Sequence, residues 1–203
     1  SDFGKHDNQK ADLSVLLWIE YYLDNFKSVA EAVSYTEANP PQIVPYFNST
    51  LNRWLKLHLV LDDASGDSAI LEYSEGKLHI YHNRNYIAAT NDPTYDKQLE
   101  NLKMYKGFGG EKPLPGSSLP QDRFVRAAYY TENLPTAAST KEELAAVLSI
   151  INNAAQPYTK GTSDKPHMSK TIWHSVADMT HRVYYFQSAM TQNLVSVSLD
   201  KFN

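Results

Sequence analysis

The chain has 203 residues, 19 Lys and Arg against 23 Asp and Glu, a formal net charge of −4, and no cysteine. Zero Cys excludes a disulfide scaffold, a Cys-ligated zinc site, an iron–sulfur cluster and a thiol nucleophile carried on these residues. The mild acidic excess argues against a dedicated nucleic-acid binder. A hydrophobic content of 42% with 21% charged residues is that of a folded globular protein, and the length suits a single domain over 1–203.

Residues 1–12 are polar and predict an extended lead-in, with no apolar core of a signal peptide. Val15, Trp18, Ile19, Tyr22 and Phe26 recur at i, i+3, i+4 and i+7. They predict a buried helix from Leu13, its apolar face widened by Leu16 and Leu17. Ser28-Val29-Ala30-Glu31 is a capping box opening a second helix, which Asn39-Pro40-Pro41 ends. The period then changes to two. Leu55, Leu57, Leu59 and Leu61 alternate with Lys56 and His58. Ser68 to Tyr73 and Leu78 to His82 follow, separated by the turn-forming runs Asp62–Asp67 and Glu75-Gly76. Connections this short predict an antiparallel meander, with Tyr86 to Thr90 as a further strand. Residues 91–120 are a long loop with one helical piece at Tyr95 to Tyr105, and a loop of this length inside a domain is usually functional. Helices are expected at Arg123 to Tyr130 and at Lys141 to Asn152, the latter capped by Ser139 or Thr140. After a polar loop at 156–169 come three strands, Thr171–Asp178, Arg182–Ser188 and Leu194–Leu199. Helices, strands, helices and strands in segregated antiparallel blocks give an α+β layered fold.

Few residues suggest chemistry on their own. The seven His residues carry no HExxH, and His79 and His82 fall on opposite faces of a strand, so no metal site is assigned. Asp62-Asp63 reads as a turn rather than a catalytic carboxylate pair. Gly107-Phe108-Gly109-Gly110 lacks the Gly-Lys-Ser/Thr ending of a phosphate loop. No apolar run reaches the length of a membrane span. No cofactor is expected.

A set of motifs in order says more. Asp63-Ala64-Ser65-Gly66-Asp67-Ser68-Ala69 with Glu72-Tyr73, Thr90-Asn91-Asp92-Pro93-Thr94-Tyr95 with Gln98 and Leu99, Leu114-Pro115-Gly116, and Asp122-Arg123-Phe124-Val125-Arg126-Ala127 resemble the choloylglycine hydrolase family of bile salt hydrolases and penicillin V acylases. The likeness is nearest its Gram-negative branch and covers nearly the whole chain. It implies an αββα sandwich of the N-terminal-nucleophile hydrolase type and hydrolysis of a linear, non-peptide amide. In that family a Cys at residue one attacks the carbonyl, and its own α-amino group, with a pKa of about 7.7–8.0, serves as base.

The resemblance assigns Asn91 to the oxyanion hole, where an amide stabilises developing negative charge without titrating. It assigns Arg123 to the vicinity of the thiol, whose pKa a fixed cation lowers. Arg126 is not assigned. The family's nucleophilic Cys has no counterpart here, so the 203 residues are expected to be roughly the C-terminal two thirds of a family-like domain. Ser1 is not taken as a substitute nucleophile. The expected function is cleavage of conjugated bile salts, slightly preferred, or penicillin V, with an acyl-homoserine lactone also conceivable. The nucleophile would come from a missing N-terminal segment or chain, so this chain alone is expected to be inactive. The alternative is a non-catalytic structural or binding fragment that needs a partner chain. Other expectations are a small-molecule amide as ligand, self-association into a homo-oligomer, and a soluble bacterial protein of periplasm or cytoplasm.

Overall fold

The computed structural model describes residues 3–160, 163 and 169–202. Ser1 and most of the second half of the 156–169 loop lie outside them. The chain divides into two compact units, Ser1–Leu99 and Glu100–Asn203.

The first unit opens with a short strand β1 (Asp12–Ser14), helices α1 (Trp18–Asn25) and α2 (Val29–Ala38), and strand β2 (Gln42–Val44), which pairs parallel with β1. The helix expected from Leu13 is therefore corrected: residues 12–14 are strand, and the helix starts five residues later. A parallel pair needs a crossover, and α1 with α2 supply it. The correction changes what is buried. Val15, Trp18 and Tyr22 lie in the core, but Leu16, Leu17, Ile19 and Leu23 are exposed, so the apolar face is narrower than the sequence pattern implied. The Gln42 side chain ties down the polar lead-in. The Gln42 amide accepts from Asp7 N at 2.6 Å and donates to Asp7 O at 3.1 Å and Asp12 Oδ1 at 2.7 Å.

The two-residue strands β3 (Phe47–Asn48) and β4 (Arg53–Trp54) pair with each other. Then β5 (Leu59–Asp62), β6 (Ser68–Ser74) and β7 (Lys77–His82) form the expected antiparallel meander, with β6 in the middle. The strand predicted from Leu55 begins only at Leu59. Glu75 and Gly76 both take positive φ, 51° and 79°, as a two-residue type I′ hairpin requires. The strand expected at Tyr86–Thr90 is absent. These residues run without a ladder partner among the described residues, tied instead by Ser68 Oγ, which donates to Tyr86 O at 3.0 Å. Aromatic β-propensity at Tyr86 is used for packing: its ring meets Tyr95 edge-on at 5.0 Å.

The core of this unit sits between the helices and the sheet. Val15, Trp18, Tyr22, Val29, Ala32, Val33 and Ile43 cluster with Leu59, Ala69 and Leu71. The Trp18 indole Nε1 is buried there without a hydrogen-bond partner among the described residues, while the Thr36, Tyr22 and Tyr73 hydroxyls are paired. Thr36 Oγ1 donates to Ala32 O at 2.7 Å and meets Tyr22 OH at 2.5 Å. Tyr73 OH donates to Pro41 O, and burial pushes this phenol up to about 12, so it remains a donor at any physiological pH.

The capping box at Ser28 forms with one difference. Ser28 Oγ accepts from Glu31 N at 3.2 Å, but Glu31 Oε2 accepts from Lys27 N at 2.9 Å. The first amide of the helix, Val29 N, donates to Asp63 Oδ2 at 2.9 Å, across the unit from the β5–β6 loop. Asp63 also accepts from Ser65 N at 2.8 Å. It is the turn former expected, and a tertiary helix cap besides.

The second unit begins in α3 (Tyr95–Leu102), continues through α4 (Pro120–Glu132) and α5 (Thr140–Ala154), and ends in a sheet of order β10-β9-β8. Its strands are β8 (Trp173–Asp178), β9 (Val183–Ser188) and β10 (Thr191–Ser198). Of the two caps considered for α5, Ser139 is the one used, accepting from Glu142 N at 3.3 Å. α4 packs on α5, and α5 on β8. Gly110 belongs to a turn, as expected, and a Cβ there would lie 2.1 Å from the Met104 carbonyl.

The Asp63 cap gives a test. Hydrogen bonds from Ser65 and from Val29 N hold its carboxyl at about 2, below its unfolded value. A depressed acid stabilises the fold above its unfolded pKa, and that contribution is lost as pH falls through the folded pKa. Asp63→Ala is expected to cost about 1 kcal/mol at pH 7, with the gap from wild type closing between about pH 4 and 2. Urea titrations across that range check it, and a gap independent of pH would contradict the cap.

Candidate functional site

Asn91 stands where β7 hands over to α3, in the first unit. It lines a small cleft of about 140 Å³ with Lys56, Leu57, His58, Glu72, Tyr73, Ser74, Asp92 and Thr94. β6 supplies Glu72, Tyr73 and Ser74, the segment ahead of β5 supplies Lys56 to His58, and the loop supplies Asn91. The Asp92–Pro93 peptide bond that follows is cis. Glu72 Oε2 accepts from Tyr95 N at 3.0 Å, which fixes the start of α3 against the sheet. Tyr95 itself is buried and packs between Tyr81, at 5.2 Å, and Tyr86. A neutral amide in a cleft walled by a backbone loop, an imidazole and an ammonium can donate to a developing oxyanion.

Arg123 lies in the first turn of α4, in the second unit, half-buried, and its Nε donates to Ser118 O at 3.1 Å. Burial, with the neighbouring Arg126 guanidinium second, pushes its pKa down; a guanidinium stays charged regardless. The two assigned residues thus occupy different units, each in its own surroundings. Arg126 is committed elsewhere. Its Nη1 donates to Pro115 O at 3.1 Å and Ser117 O at 2.8 Å, and its Nε and Nη2 reach Asn153 at 2.9 and 3.3 Å. It ties the loop before α4 to the end of α5.

His58 and Glu72 lie beside Asn91 without having been assigned a role from sequence. A signal existed for Glu72: a lone charge in the apolar run Ser68 to Tyr73 must find a partner when the strand is central. None existed for His58, which alternates with leucines like a surface residue. Three other histidines pair with carboxylates: His6 with Asp12 at 2.9 Å, His82 with Asp67 at 2.8 Å and His181 with Asp178 at 2.8 Å. Among the described residues no three His, Asp or Glu side chains converge as a metal site, and no helix is long and apolar enough to cross a membrane.

Residues 1–203 match the family described as linear amide C–N hydrolases, choloylglycine hydrolase family. The chain belongs to the choloylglycine hydrolase family. Penicillin V acylase of Pectobacterium atrosepticum is 40% identical over 96% of this chain and 55% of its own length. The solved penicillin V acylase of Agrobacterium tumefaciens is 41% identical, superimposes with a TM-score of 0.84, and is covered over 98% of this chain and 60% of that one. A variant of conjugated bile acid hydrolase from Clostridium perfringens, 22% identical, has the same fold at a TM-score of 0.77, with 98% of this chain and 66% of that one covered. The α+β class and the N-terminal-nucleophile hydrolase type of fold follow. The chain spans little more than half the length of the curated penicillin V acylase that it resembles.

The Arg126 tie is open to measurement. Arg126→Ala removes four hydrogen bonds from a charged group and is expected to lower stability by about 1.5–3 kcal/mol, with faster amide exchange at the α4–α5 contact. Unchanged melting and exchange would contradict this structural assignment.

Proposed function

We propose that this chain is the substrate-side part of a penicillin V-type linear amide hydrolase, with Asn91 in the oxyanion hole, Arg123 near the nucleophile, and the two units as parts of one catalytic domain. The observation that carries the substrate is the gap in identity: 40 and 41% to two penicillin V acylases against 22% to a bile acid hydrolase. This turns the slight sequence preference for bile salts towards penicillin V. The nucleophile in this reading is a thiol outside the 203 residues, since the chain has no cysteine. Its thiolate adds to the amide carbonyl, and negative charge gathers on the carbonyl oxygen, where the Asn91 amide donates a hydrogen bond. The C–N bond then breaks, the amine leaves with a proton, and water hydrolyses the thioester to regenerate the thiol.

The partner reading has its own support. One face of the β8–β10 sheet carries Trp173, Tyr184, Phe186, Val195 and Val197, all exposed, with Trp173 at 56%. The ladder puts Phe186 opposite Val195 and Tyr184 opposite Val197, so these side chains form one contiguous surface. Apolar patches of this kind mark contact surfaces. We propose that the remaining residues of the family domain cover it, and that without them the chain pairs with a second copy.

The test compares the 203-residue chain with the complete natural reading frame that contains it, using penicillin V and glycocholate. The complete protein is expected to cleave penicillin V at least about tenfold faster, a difference of about 1.4 kcal/mol, and to be inactivated by iodoacetamide. Asn91→Ala is expected to lower kcat by about 10²–10³ with little change in KM. The 203-residue chain is expected to be inactive and self-associated in sedimentation. Faster glycocholate cleavage would overturn the substrate proposal, and turnover by the 203 residues alone would overturn the external thiol.

A further inference from the structure

Gln98 belongs to the motif around Asn91, yet the reaction outlined above gives it no task. It is 2% exposed. A buried primary amide brings two donor hydrogens and an acceptor, all of which need partners. Gln98 spends them on one short segment. Its Oε1 accepts from Thr90 Oγ1 at 2.6 Å, and its Nε2 donates to Thr90 O at 3.2 Å and to Pro93 O at 2.7 Å. The carbonyl before Asn91 and the carbonyl two residues after it are therefore bound to the same side-chain nitrogen.

Resting on the oxyanion role proposed for Asn91, we infer that Gln98 is the positioning residue that aims the Asn91 amide. A four-residue loop pinned at both ends by a planar amide keeps few backbone states. The pin is itself anchored. Gln98 sits one turn into α3, with its N donating to Thr94 O at 3.0 Å, and the first amide of α3 is held by Glu72 of β6. The position of the sheet is thus relayed through Glu72, α3 and Gln98 to Asn91. An oxyanion donor acts only within a few tenths of an ångström of its place, so a loosened loop loses rate before it loses binding. An apolar residue of equal length would fill the same volume but leave the Thr90 and Pro93 carbonyls without this donor.

The test uses the complete protein with Gln98→Met, which keeps length and removes the hydrogen bonds, and Thr90→Val, which removes only the hydroxyl. Val33→Ala, in the core away from the cleft, is the control for general destabilisation. Gln98→Met is expected to lower kcat on penicillin V about 10–100-fold, with KM within about threefold and the pH profile unmoved. Thr90→Val should fall about two- to fivefold on the same grounds, and Val33→Ala should keep its kcat despite a lower melting temperature. Amide exchange of Asn91, Asp92 and Thr94 should speed up at least about tenfold in Gln98→Met, while β6 stays protected. An unchanged kcat in Gln98→Met, or an equal fall in Val33→Ala, overturns the inference. If Gln98→Met does not fold, the turnover and loop exchange of Thr90→Val decide it. A wild-type protein with no amidase activity overturns the reading of Asn91, and unchanged exchange at 91–94 then overturns the positioning role separately.

Discussion

The first unit depends on the burial of β6. Ala69 and Leu71 lie inaccessible beneath the α1–α2 layer, Ile70 on the opposite face is 2% exposed, and β5 and β7 flank the strand on both edges. Everything that places the cleft is attached to this strand. Ser68 holds the backbone at Tyr86, Glu72 holds the start of α3, and Tyr73 reaches Pro41 behind α2. A central strand with no freedom to slip has a fixed register, since a one-residue shift would exchange its two faces. That register is what turns a polar loop such as Thr90–Thr94 into a site with defined geometry.

Structure that depends on neighbours in sequence was legible. The caps at Ser28 and Ser139, the turn at Glu75-Gly76 and the three closing strands all follow from residues within a few positions of each other. Structure that depends on distant pairing was not. β1 is strand because Gln42 to Val44 lie beside it, and nothing in Leu13 to Leu17 distinguishes that from a first helical turn. Tyr86 to Thr90 has strand composition, but its aromatic ring is engaged by Tyr95 and its backbone by a serine hydroxyl. Local propensity was overridden in both places by tertiary contact.

The site was legible to a different degree. Asn91, on composition, is a turn residue, and only its neighbours in an ordered family motif lifted it out of that class. The family match spans residues 1–203, this segment among them. The environment of Asn91 was out of reach, because Glu72 lies on β6 and His58 on the irregular segment ahead of β5, and the sequence does not state how either is placed against the loop. Arg126 shows the converse: two arginines three residues apart on α4 look equivalent as letters, and the hydrogen bonds of one commit it to the loop and to α5.

The Asp63 carboxylate joins a helix start to a hairpin loop 34 residues away. Neither element can open alone without stranding the other. If the β5–β6 loop unfolds, Val29 N loses its acceptor and α2 frays from its first turn; if α2 leaves, the loop keeps a carboxylate whose low pKa has lost part of its cause. Helix and hairpin therefore behave as one cooperative unit in partial unfolding. The loop-closure entropy of bringing them together is met once for both, and it is this coupled piece, rather than the helix or the hairpin separately, that carries the start of α2.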